Sequence, residues 1–188
     1  MQELSPLIAE ATRRVPEAYF RVKIDGGDPV YRERVYCYEL YHQLRCLWPE
    51  QCDFLLNGEL DKAAHPILRQ LGADYAKPDL LVHAPGRMDR NYAILEVKSS
   101  RAQKTGIAKD LNTLALFRSN VGYQRAIYLL FGEDVEAAAT RVVEVAQQIE
   151  GLPQIELWLH GAAGRAATPN LSLEPTRVGE PPLAAQLR

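Results

Sequence analysis

The chain has 188 residues and 47% hydrophobic content, enough for one good core and too little for a large second module, so a single domain is expected. Its 22 lysines and arginines stand against 24 aspartates and glutamates, which excludes a basic field over the whole surface of the kind that coats nucleic acid. Three cysteines without a CxxC pair argue against zinc and a disulfide framework; with no signal peptide and no membrane-length apolar run, they point to a soluble, cytoplasmic chain.

Leu4 to Val15 has the pattern of a short opening helix, followed by a loop through Asp25-Gly26-Gly27-Asp28-Pro29. A stronger helix begins near Tyr31. Its apolar residues Tyr36, Cys37, Leu40, Tyr41, Leu44, Leu47 and Trp48 recur every three or four positions, and Pro49 ends it. Glu39, His42 and Gln43 lie on the flank of that face. The first strand is read at Phe54 to Leu60, with Glu59 near its end, and His65 follows in a loop beside Pro66.

The next segment carries the chemistry. Pro78-Asp79 opens the apolar run Leu80-Leu81-Val82-His83, and Ile94-Leu95-Glu96-Val97-Lys98 follows a turn-rich loop holding Pro85, Gly86 and Asp89, which reads as a hairpin. Counting antiparallel pairs back from Ala84 and Asn91 places Asp79 opposite Glu96. Side chains alternate along a strand, so Glu96 and Lys98 share one face while Leu95 and Val97 take the other. Two carboxylates brought together repel unless a cation separates them, and hard oxygen ligands suit Mg²⁺ or Mn²⁺. Lys98 beside such a site can orient or deprotonate a water, or neutralise charge on a phosphate. The chemistry indicated is metal-assisted attack of water on a phosphodiester. Arg87, Arg90, Lys98, Arg101, Lys104 and Lys109, opposed only by Asp89 and Glu96, give the segment a surplus of four positive charges that could draw a polyanion.

Gln103 to Arg118 then reads as a helix with Ile107, Leu111, Leu114, Ala115 and Phe117 inward. A strand at Gln124 to Phe131, an alanine-rich helix from Asp134 to Glu150 and a last strand at Ile155 to His160 complete the pattern. From Gly161 to Arg188 the composition turns to Ala, Gly, Pro and Thr without sustained periodicity, and this low-complexity stretch is read as a C-terminal tail.

Pro78-Asp79, a spacer, and Glu96-Val97-Lys98 resemble the motif of the PD-(D/E)XK nuclease superfamily, the restriction-endonuclease-like fold. The order of elements from about residue 31 to 160 is similar to that family's αβββαβ core with an added helix and strand, so an α/β domain with a mixed central sheet flanked by helices is expected over 1–160. The resemblance implies that Asp79 and Glu96 hold the metal, that the Val97 carbonyl joins them, that Lys98 helps activate the water, and that cleavage leaves a 5′-phosphate. It further implies an additional acid from the preceding helix or strand, for which Glu39 and Glu59 compete. The substrate implied is nucleic acid, DNA rather than RNA, with a homodimer or larger protein complex supplying specificity. Two alternatives stay open: a catalytically silent binding or scaffold module that keeps the fold, and a metal-free fold in which Glu96 and Lys98 form an exposed surface pair.

Overall fold

The computed structural model describes residues 4–59, 66–73 and 76–174. Helix α1 (Leu4–Arg13) and the one-turn α2 (Glu17–Phe20) lead into a small antiparallel ribbon of β1 (Val22–Ile24) and β2 (Gly27–Val30). The stretch read as a loop is therefore a hairpin: Asp25-Gly26 makes its turn, with Gly26 at φ +70°, a left-handed conformation that favours glycine. Helix α3 (Glu33–Leu47), strand β3 (Leu55–Gly58) and the short α4 (Pro66–Gln70) follow. The far end of the expected strand at Leu60, and His65, lie outside the described residues. The remainder is β4 (Leu80–His83), β5 (Asn91–Ser99), α5 (Lys104–Ser119), β6 (Arg125–Phe131), α6 (Val135–Ala146), β7 (Ile155–His160) and β8 (Thr168–Leu173).

Strands β3 to β8 form one six-stranded sheet in sequence order, with β5-β6 and β6-β7 parallel and the other neighbours antiparallel. The fold is thus α/β, with a mixed sheet flanked by helices. Leu80, Val82, Leu95, Val97, Ile127 and Leu129 pack against α1 and α3, while Leu81, Ile94, Tyr128 and Leu130 pack against α5 and α6. Both faces of the middle strands are covered, and β6 accordingly reads as the nearly unbroken apolar run Ala126 to Phe131.

From Val82 inward the hairpin keeps the register that the sequence implies, but at its loop end the register shifts between Val82 and His83, so that His83, not Ala84, pairs with Asn91. Leu80 pairs with Leu95, Leu81 with Ile94 and Val82 with Ala93; one further step sets Asp79, just ahead of β4, across from Glu96. Strand β8 was not visible in composition. It runs antiparallel to β7 from within the stretch read as a tail, at the edge of the sheet, where only Leu173 is buried. An exposed edge needs little apolar alternation and tolerates Pro169, which removes the usual strand signal.

Leu129 is fully buried under α1 and α3 at the centre of the sheet. Leu129→Ala should cost about 2–5 kcal/mol by opening a cavity there, read as a lower urea midpoint with an unchanged m-value.

Candidate functional site

Two of the helices that cover the sheet, α3 and α5, each carry one acid on their buried stripe. In α3, at 100° per residue, Glu33 has nearly the azimuth of Leu40 and Leu44, whereas Glu39 sits about 120° away. In α5, Asp110 falls between Ile107 and Leu114 and is buried. Both stripes converge on the carboxyl-terminal half of β5, where alternation turns Glu96 and Lys98 toward α5.

Between α3, α5 and the ends of β3, β4 and β5 lies a cavity of about 990 Å³ whose walls include Glu33, Glu59, Asp79, Glu96, Val97, Lys98 and Asp110. Glu96 is 6% exposed. Burial first, then the neighbouring Asp79 and Asp110 charges, push its carboxyl well above the usual range. Asp79 is also raised by burial, although the Val97 N–H, at 2.8 Å from Asp79 Oδ2, favours its charged form. The N–H and C=O of one strand residue leave on the same side, so the Val97 carbonyl also leaves on the β4 side of β5.

Lys98 turns to other partners. Its Nζ lies 3.1 Å from Glu33 Oε2 and 2.8 Å from Asp110 Oδ2. Burial opposes its charge, but Asp110 and then Glu33 outweigh that and raise its pKa. Glu33 is itself fixed by the Ser99 N–H at 3.2 Å and the Ser99 hydroxyl at 3.3 Å. Among the described residues neither Asp110 Oδ2, despite its ion pair with Lys98, nor the buried Tyr128 hydroxyl, beside Glu96 in the parallel register, has a hydrogen-bond partner. Burial, then the charges of Asp110, Glu33, Glu96 and Asp79, raise the tyrosine pKa.

The sequence-derived residues Asp79, Glu96, Val97 and Lys98 therefore meet at one place. Their setting contradicts a solvated surface pair: Glu96 is buried, and Lys98 is bound by Glu33 and Asp110. Of the rival acids, Glu59 lines the cavity, half exposed and 3.5 Å from Arg34 Nη2, with its N–H on the Asp79 carbonyl at 3.0 Å. Glu39 does not line it; its carboxylate accepts from Gln43 Nε2 at 2.7 Å on the same helix. Glu33 and Asp110 escaped the sequence reading. The usable signal was a charge set directly on an apolar helix stripe, where a solvated residue has no place.

The local basic surplus does not form one patch. Arg87 pairs with Asp89, Arg90 with Asp53, Lys104 with Glu144 and Lys98 with the two site acids, so four of the six charges are locally matched. Among the described residues no group of three or more His, Cys, Asp or Glu side chains is disposed to hold an ion, and no helix is long and apolar enough to cross a membrane. Neither a protein-family model, nor a curated protein, nor a solved structure matches the chain.

A carboxyl whose folded pKa is raised binds more protons in the native state, so stability declines as pH climbs from its unfolded value toward the folded one. Glu96→Gln should therefore raise the melting temperature in EDTA at neutral pH, with the gain shrinking near pH 4.5, the ordinary glutamate value, and below. Thermal denaturation of both proteins across that range checks the sign.

Proposed function

We propose that the chain is a divalent-metal-dependent nuclease of the PD-(D/E)XK type, hydrolysing phosphodiester bonds with Mg²⁺ or Mn²⁺ as cofactor and DNA as the preferred substrate. The observation that carries this reading is the half-buried Asp79, just ahead of β4, set across from the buried Glu96 of β5, with Lys98 two residues further along the same face. The succession of α3, three antiparallel strands, α5, a parallel strand, α6 and another parallel strand resembles the restriction-endonuclease-like core and supports the same reading. The preference for DNA rests on that resemblance.

The donor set suits a small hard cation. Asp79, Glu96 and the Val97 carbonyl offer oxygen only, and Mg²⁺ typically takes one or two carboxylates while filling its other positions with water and substrate phosphate. A site without three acidic side chains is compatible with that habit. The cavity walls carry five acids, Glu33, Glu59, Asp79, Glu96 and Asp110, against Arg34, Lys77, Lys98 and Lys109, so a phosphate finds little net attraction until a cation joins them. When bound, such an ion lowers the pKa of water and offsets charge building on the phosphate.

The chain's own groups do the rest. Asp79 and Glu96 would hold the cation as carboxylates, its charge offsetting the burial that raises both groups. Glu33 and Asp110 hold the Lys98 ammonium at one point, from which it can donate to the attacking water or to a phosphate oxygen. Glu59, which lines the same cavity, is the candidate to supplement the pair rather than Glu39, which does not line it.

Wild type should cleave plasmid or single-stranded DNA only with Mg²⁺ or Mn²⁺, and Glu96→Ala or Lys98→Ala should lower the rate at least about 100-fold. Equal activity in wild type and Glu96→Ala would refute the proposal. Calorimetry with Mn²⁺ separates the scaffold reading, which predicts no binding heat at millimolar metal.

A further inference from the structure

Helix α3 presents a second stripe to the cavity beside its buried one. Arg34, Tyr38 and Tyr41 stand at i, i+4 and i+7, on one side of the helix, and all three line the wall. Tyr38 is 58% exposed, and among the described residues its ring has neither a hydrogen bond nor an aromatic partner. Arg34 keeps 72% of its side chain exposed, and its ion pair among the described residues is a long one, 3.5 Å to Glu59. This wall belongs to the acidic centre: the adjoining Cys37 thiol is raised first by burial and then by the Asp79, Glu96 and Glu59 charges.

An open tyrosine ring beside an exposed guanidinium is the pairing that grips an unpaired nucleotide, the ring stacking on the base and the cation meeting the backbone. A duplex keeps its base faces stacked inside and offers only groove edges, so it has nothing to lay on Tyr38. At about 990 Å³ the cavity is at the upper end of the range for sites that enclose a small molecule, room for a nucleotide and its flanking phosphates. We infer that the α3 wall, with Tyr38 at its centre, is a stacking platform that selects unpaired nucleic-acid strands for the Asp79 and Glu96 site. The inference rests on the hydrolytic reading of the same cavity and narrows its substrate to single strands, frayed ends or extruded bases.

The test is fluorescence anisotropy with a labelled oligothymidylate and with a duplex of equal length, in Mg²⁺, on a Glu96→Gln background that suppresses turnover. The strand should bind more tightly than the duplex. Tyr38→Ala should weaken strand binding about 5- to 150-fold, the equivalent of one stacked base, while Tyr38→Phe keeps it within about twofold. Duplex binding should be the same in all three. Tyr38 is exposed, so its removal leaves the core intact, and an unchanged melting temperature checks that. Unaltered strand affinity in Tyr38→Ala, an equal loss for strand and duplex, or preference for duplex would each overturn the inference. Cleavage by wild type is scored separately: a protein that binds the strand through Tyr38 and never cuts it upholds the platform and refutes the hydrolytic reading.

Discussion

A carboxyl placed on a strand covered by helices on both sides governs this structure. Strand β5 lies inside the sheet between β4 and β6, and Glu96 interrupts its apolar run at 6% exposure with Asp79 beside it. An ionised carboxylate there is costly without a counter-charge. The obvious partner, Lys98, is engaged by Glu33 and Asp110, and its charge is the smallest of the main influences on Glu96. Burial and the neighbouring acids therefore raise the Glu96 carboxyl, and in the proposed reading a divalent cation would supply the missing counter-charge.

The rest of the fold keeps this arrangement in position. Apolar stripes fasten α3 and α5 to opposite faces of the sheet, and each stripe carries one acid that meets Lys98 near the end of β5. One lysine is thereby tied to two helices and to the strand that bears it. Substituting either acid leaves a half-buried cation short of a partner, so Glu33 and Asp110 bear on stability as well as on where Lys98 sits. The cavity between the helices is enclosed by elements whose spacing the core fixes, and its open side shows tyrosine and arginine from α3.

Much of this was legible in the chain. Alternation along β5 and a count of the hairpin set Asp79 across from Glu96 from residue order alone. Helices α3, α5 and α6 followed from apolar spacing. What escaped had weak or ambiguous local signals. Strand β8 is a mostly exposed edge held by pairing to β7, and the β1-β2 ribbon is too short and polar to show a two-residue period. Glu39 drew attention as an acid beside a helix face, yet the acid that reaches the cavity is Glu33, in phase with Leu40 and Leu44. Asp110 was hidden in the same way, among leucines that were read only as core.

The central claim is that Asp79 and Glu96 share a small divalent cation. Anomalous diffraction from crystals soaked in Mn²⁺ tests it directly. The account predicts a peak bridging the Asp79 and Glu96 carboxylates beside the Val97 carbonyl, absent from Glu96→Gln crystals treated in the same way. Well-ordered Asp79 and Glu96 carboxyls still in mutual contact, with no peak between them at saturating Mn²⁺, would contradict it.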